Sequence, residues 1–233
     1  MIIGISGKKG HGKDLVARII QELSTGKSNE EVFETLYNPY STVRSTWEVR
    51  KFADKLKTMI CTLLGCTKEQ LEDRDFKETP IPELGNKTPR DLMISLGTEW
   101  GREMVTPNIW SATLFTNYKQ SVGYEPGNYW CRCGSCGKSF TGDKRAVRCE
   151  KCSVVYPGWI VTDTRFPDEA EAIKSRDGLL LRVNRFPQRV VVDEHISETA
   201  LDDYKDWDFV ISNDGTQMDL IEKVKEFMDK FKI

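Results

Sequence analysis

Residues 7–14 of the 233-residue chain read Gly-Lys-Lys-Gly-His-Gly-Lys-Asp, and this octet constrains the fold more than any other stretch. It fits G-x-x-x-x-G-K, with Asp14 where serine or threonine usually completes the motif. The apolar run 1–6 before it reads as a buried strand. Leu15, Val16, Ile19, Ile20 and Leu23 follow it at helical spacing. Strand, glycine turn and helix in that order curl the backbone so that successive N–H groups face one concave site. That site lies at a helix N-terminus and favours phosphate oxygens. Gly7, Lys9, Gly10, His11, Gly12, Lys13 and Asp14 are therefore the candidate ATP-binding residues. Lys13 would reach the β- and γ-phosphates as a point charge, with Lys8, Lys9 and His11 adding positive potential. A carboxylate at Asp14 can hold a hard cation, so magnesium is the expected cofactor and its removal should matter more than with a hydroxyl there. The competing reading is a glycine-rich turn that happens to precede a helix.

The rest of the chain alternates strands and helices. Strands are expected at 47–52, 159–162, 179–183 and 209–212. Helices are expected at 53–64, 89–104, 107–118, 167–175 and 218–231. Segments 25–46 and 67–88 lack periodicity and read as a loop and an irregular excursion. This order argues for a parallel sheet covered on both faces, a three-layer P-loop α/β fold. Residues 1–119 and 159–233 make the core, and 120–158 reads as an insertion. The tryptophans Trp100, Trp110, Trp130 and Trp159 are expected to pack in the core or the insert.

A second constellation is Trp159-Ile160-Val161-Thr162-Asp163-Thr164-Arg165-Phe166-Pro167-Asp168-Glu169. An apolar strand ends in Asp163, and Arg165 follows. In a parallel sheet the functional crevice lies at the carboxyl ends of the strands. Asp163 could there orient magnesium, and Arg165 could stabilise charge on a transferred phosphoryl group. The plainer reading has Asp163 capping a loop and Arg165 pairing with Asp168 or Glu169.

Cys133-x2-Cys136 and Cys149-x2-Cys152 are separated by twelve residues. Two such knuckles predict a zinc ribbon, closed by four thiolates and therefore structural. Cys131 is a spare, or it replaces Cys133; the spacing leaves both open. So short a segment cannot bury enough apolar surface by itself, so the metal would supply its folding energy. Lys138, Lys144, Arg145, Arg148 and Lys151 make it basic. A structural or partner role is favoured over nucleic-acid binding.

Several segments together resemble the deoxynucleoside monophosphate kinases of tailed bacteriophages: SGKKGHGKD (6–14), FADKLK (52–57), TPRDLMISLGTEWGREM (88–104), VTDTRFPDEAEAI (161–173), LRVNRF (181–186), DEHISE (193–198) and DFVISNDGT (208–216). They run in family order over nearly the whole chain outside 120–158. The resemblance implies an adenylate-kinase-like fold with core, monophosphate-binding arm and lid. It implies transfer of the γ-phosphate of ATP to a deoxynucleoside monophosphate. By matching position, Lys13 and Asp14 would serve the ATP phosphates and magnesium. Lys57 and Arg90, with Arg165, would hold the acceptor. Asp163 and Arg165 would sit at the transfer site, Arg185 would be a lid arginine, and Asn213 and Gly215 would lie near the adenine. Arg182, Arg185 and Arg189 form a basic run of the kind that closes over phosphate. His195 reads as a loop-fixing residue. A homodimer is a candidate assembly.

Hydrophobic residues make up 39% and charged residues 30%, enough for a sizeable buried core, and the net charge of -2 points to no polyanionic partner. No basic region followed by an apolar run opens the chain, and no stretch approaches a membrane span. A cytoplasmic location, in the host if the chain is phage-encoded, is expected. The alternatives are a P-loop kinase of another small phosphorylated metabolite and a nucleic-acid-binding ATPase that reads with its zinc ribbon.

Overall fold

Ile2–Ser6 (β1), Trp47–Arg50 (β2), Gly158–Val161, Leu179–Asn184 and Phe209–Ser212 are the five strands of one parallel sheet. Tyr129–Arg132 (β3) and Ser139–Gly142 (β4) form a separate antiparallel hairpin, so the last three sheet strands are β5, β6 and β7. The sheet order is β2-β5-β1-β6-β7. This computed structural model describes residues 1–38, 45–119, 127–143, 146, 148–153, 156–186 and 199–233. The expected α/β architecture is present, a five-stranded parallel sheet with helices on both faces, consistent with a P-loop kinase-like fold. Arg189, His195, Lys144 and Arg145 lie outside the described residues.

Strand alternation sorts the core into two layers. Ile3, Ile5, Ile160, Leu181 and Val183 point to one face. There they meet helices α1 (Lys13–Leu23), α2 (Asn29–Tyr37) and α9 (Gln217–Phe231), through Val16, Ile20, Val32, Val224 and Phe227. Ile2, Trp159, Val161 and Leu180 point to the other, against α7 (Ile109–Phe115) and α8 (Pro167–Lys174), through Trp110, Phe115, Ala170 and Ile173. Being buried on both faces, β1 is apolar without alternation, as central parallel strands are.

Between β2 and α7 the chain makes an arm. Helices α3 (Asp54–Leu64), α4 (Lys68–Glu72), α5 (Arg74–Glu78) and α6 (Pro89–Ile94) pack on one another. The segment 67–88 thus holds two short helices where an irregular excursion is expected, and is irregular only around Pro80 and Gly85. Thr67 and Asp73 side chains accept from the Gln70 and Phe76 amides and start its two short helices. Likewise 25–46 holds α2, opened by the reciprocal Ser28–Glu31 capping box. The expected helix 89–104 is α-helical only to Ile94 and continues as a π-helix, Ser95–Val105. Gly101 lies under the Trp110 ring, where a Cβ would come within 2.8 Å of it, and the Trp110 indole donates to the Gly97 carbonyl at 2.8 Å. The wide turn admits that indole and carries Arg102 inward. No helix among the described residues is long and apolar enough to cross a membrane.

Candidate active site

The phosphate loop joins β1 to α1. Gly12 sits at the helix N-cap with φ 95°, left-handed backbone that glycine adopts without strain, and no side chain caps the first turn. The leading amides of α1 are thus left for a ligand. Lys13 Nζ donates to the carbonyls of Gly7 at 2.5 Å and Lys8 at 3.0 Å, which holds its charge over the loop. Lys9 and Gly10 are exposed at the loop tip.

His11 does not supply the expected positive potential. Its ring is 7% exposed and donates through Nδ1 to the Val183 carbonyl on β6 at 3.1 Å. Burial pushes its pKa below the ordinary value near 6.5. The β6 carbonyl opposes that shift, and the charges of Lys13, Arg182 and Lys8 add to it. The ring is neutral at pH 7, and its work is to anchor the loop. Asn213 helps from the end of β7, its Nδ2 donating to the His11 carbonyl at 2.9 Å. Gly215 lies against Asp219, whose carboxylate accepts from the Thr216 amide to cap α9. Lys8 pairs with Asp202 at 2.9 Å, and Arg182 reaches Asp202 and Ser6. Arg185, just past β6, is exposed, and its charge helps hold the Asp214 carboxyl low, after the Phe186 amide.

At the end of β5 the Asp163 carboxylate accepts from the amides of Phe52 at 2.8 Å and Ala53 at 3.0 Å. The capping reading is therefore realised: Asp163 fastens the entrance of the arm to the carboxyl end of β5. Burial raises its pKa against the pull of those amides and the charges of Arg165 and Lys51. The Arg165 amide donates to Glu169 at 2.8 Å. The guanidinium on Asp168 and Glu169 belongs to Arg102, at 2.9 and 2.7 Å, and it also lies over the Phe166 ring at 3.9 Å. Glu169 is 3% exposed. Burial and the neighbouring Asp163 push its carboxyl up to about 8, against the Arg165 amide and Arg102.

The arm carries a cluster of cations. Lys57 on α3 pairs with Glu72, Lys77 on α5 lies 3.8 Å from the same carboxylate, and Arg90 on α6 holds Glu78 at 2.6 Å. Burial lowers the pKa of Lys77. Glu72 opposes this, and the charges of Lys57, Arg90 and Lys9 reinforce it. Lys51, at the end of β2, stands between the loop and the arm. Its ammonium lies 3.2 Å from Asp14, and its charge reaches Asp163 and Glu72. Lys51 thus links Asp14 with the arm, where Lys57 and Lys77 share Glu72, and Lys51, Lys77 and Arg102 are residues that sequence reading does not place among the candidates. Lys51 directly precedes the quoted FADKLK, and Lys77 sits in a stretch without periodicity.

The four thiols of Cys133, Cys136, Cys149 and Cys152 lie within 4.8 Å of one another. The Cys136 and Cys149 sulfurs are 3.8 Å apart, close to the edge of a tetrahedron with Zn–S bonds of about 2.3 Å. Gly137 turns the first knuckle at φ 72°. Amides of Cys149, Cys136 and Ser135 push the Cys133 thiol down to about 6, while its sulfur neighbours push Cys152 up to about 12. Four adjacent thiols cannot all ionise without a cation among them, and this donor set can hold a metal such as zinc. Cys131 is outside the cluster; its thiol faces the Asp143 carbonyl at 3.5 Å.

No protein-family profile matches the chain. It is 25% identical over 233 residues to a protein of Acanthamoeba polyphaga mimivirus named "Putative deoxynucleotide monophosphate kinase", covering 98% of this chain and 96% of that one.

Proposed function

We propose that the chain is a nucleotide kinase that moves the γ-phosphate of ATP onto a deoxynucleoside monophosphate, giving the diphosphate. The carrying observation is that Lys51, 3.2 Å from Asp14 at the start of α1, also acts by its charge on Glu72, the carboxylate that Lys57 and Lys77 share on the arm. An anion-binding loop is linked to a second cationic cluster, as a donor triphosphate and a phosphorylated acceptor require. The full-length likeness to the mimivirus protein supports the same class.

In this reading the loop amides, Lys9 and Lys13 hold the β- and γ-phosphates, with His11 and Gly12 shaping the loop from behind. Lys57, Arg90 and Lys77 hold the acceptor phosphate in line. An oxygen of that phosphate attacks the γ-phosphorus as the bridging β–γ oxygen leaves with ADP. Little covalent work falls to the protein, so positioning and charge stabilisation carry the rate. Arg165 sits where charge spreads over the transferred group, and Asp163 fixes the arm's entrance. Arg185 closes from the lid side, and Asn213 and Gly215 border the adenine. Asp14 would hold magnesium, which would neutralise phosphate charge. Residues 1–119 and 159–233 form the kinase with its arm and lid, and 120–158 form the zinc-stapled insertion.

The test is a screen of deoxy- and ribonucleoside monophosphates with ATP and magnesium, followed by ADP and diphosphate formation, with Lys13→Ala as control. Turnover of at least one deoxynucleotide, lost in Lys13→Ala, is expected. Phosphorylation of none would refute the reading.

A further inference from the structure

Trp130 on β3 is 81% exposed and its neighbour Tyr129 is 59% exposed. The expected packing role holds for Trp110 and Trp159, at 5% and 7%, but not for Trp100, at 37%, nor for Trp130. The hairpin register sets Trp130 opposite Thr141 and Arg132 opposite Ser139. Alternation puts these four side chains on one face, and all four are exposed. Cys131 and Phe140, on the other face, are half-buried. Arg132 is steadied by the Gly137 carbonyl at 3.2 Å, and exposed Lys138 follows at the turn. By sequence, 127–158 carries six Lys and Arg against Asp143 and Glu150, although the whole chain is at -2. A zinc tetrathiolate would remove about two of those positive charges and leave the segment cationic.

One flat indole among hydroxyls and cations is too small a patch for a protein partner, which needs roughly 1,000 Å² or more in total. It is the right size for one nucleobase, with phosphates on the cations. A duplex offers no free base face. We infer that the β3–β4 face binds single-stranded DNA, a base stacking on Trp130 and the backbone running along Arg132 and Lys138. The choice of DNA over RNA rests on the proposed deoxynucleotide chemistry, while stacking and charge stand without it.

The experiment uses the full-length zinc-loaded chain and a fluorescein-labelled dT12, read by anisotropy at 50 and 200 mM salt. Binding is expected to weaken with salt. Trp130→Ala should lose about 5- to 150-fold and Trp130→Phe much less, both with zinc content unchanged. Absence of dT12 binding, an Ala variant that binds like wild type, or a Phe variant as weak as Ala would overturn the inference. So would displacement by poly-glutamate at equal charge. Tighter binding of rU12 would overturn the assignment to DNA. Lys13→Ala should bind dT12 like wild type, so loss of phosphoryl transfer and loss of DNA binding are read separately.

Discussion

The Lys51 ammonium lies 3.2 Å from a carboxylate oxygen of Asp14, joining the end of β2 to the first turn of α1. Asp14 is exposed and Lys51 half-buried, so the pair itself is worth about 0–1 kcal/mol. Its consequence is competition, because a cation that Asp14 holds for the triphosphate must share the carboxylate with Lys51. Lys51→Met should lower the magnesium concentration needed for half-saturation by up to about 5-fold, the equivalent of that pair. Asp14→Asn should raise it by about tenfold or more. Magnesium titrations against a fluorescent ATP analogue read both, and an unchanged Asp14→Asn curve would remove Asp14 from the metal.

His11 should give the loop an acid limit. Its folded pKa lies below the ordinary 6.5, because burial disfavours the charged ring. The stability it contributes is present above pH 6.5 and is lost as pH falls from there through the folded value. His11→Asn keeps a donor for the Val183 carbonyl but does not titrate. Thermal midpoints of wild type and variant should therefore converge above pH 7. Below pH 6.5 the wild type should lose about 2–4 °C for each kcal/mol of linkage. Parallel midpoints across that range would dismiss His11 as the cause.

Much of this was legible in the chain because periodicity and one motif agree. The loop needs glycine at Gly12, a lysine at Lys13 and a strand before them, and each is a local sequence property. The helix α2 was missed: its capping box, Ser28 with Glu31, is a local signal, but its single buried residue, Val32, gives too thin a stripe for a periodicity reading. The pairing of Lys51 with Asp14 was not legible. It depends on β2 lying two strands from β1 in the sheet, and nothing local in either segment encodes that. His11 failed differently: loop position suggests a ligand, whereas its burial depends on β6, 172 residues away.

Arg102 is the residue whose loss should cost most. It is 13% exposed and serves the Asp168 and Glu169 carboxylates from the π-helix. Arg102→Met leaves the buried Glu169 carboxyl and Asp168 without their shared donor, a loss of about 1–3 kcal/mol, read by urea unfolding. Glu169 adds a pH signature. With its folded pKa raised to about 8, the stability it contributes is complete below about 4.5 and is lost as pH rises through 8. Glu169→Gln should therefore gain on wild type from pH 5 to pH 9. A gap constant with pH would mean that Arg102 holds Glu169 ionised throughout.

The cysteine cluster makes a stoichiometric prediction. Wild type and Cys131→Ser should each release about one zinc per chain to a colorimetric chelator, and Cys133→Ser should release markedly less. Chelation should also melt the insert, since a segment this short folds on its metal. Equal zinc in Cys133→Ser and loss in Cys131→Ser would reverse the ligand assignment drawn from the sulfur positions.

The arm offers the sharpest test of how the acceptor is held. Lys57 and Lys77 both lean on Glu72, whose carboxyl they hold below its ordinary range against partial desolvation. An acceptor phosphate would have to take those ammonium groups from Glu72, so the carboxylate acts as a counter-ion to be displaced. Lys77→Ala should raise KM for the monophosphate by about tenfold, the scale of one charge-assisted contact, and leave KM for ATP within about twofold. Glu72→Gln should act in the opposite direction, lowering KM for the monophosphate while the fold is kept. The two variants separate charge from architecture, because disruption of the arm would raise KM in both. If Lys77→Ala changed the two substrates equally, the cluster would serve the loop as a whole and the acceptor would be held elsewhere.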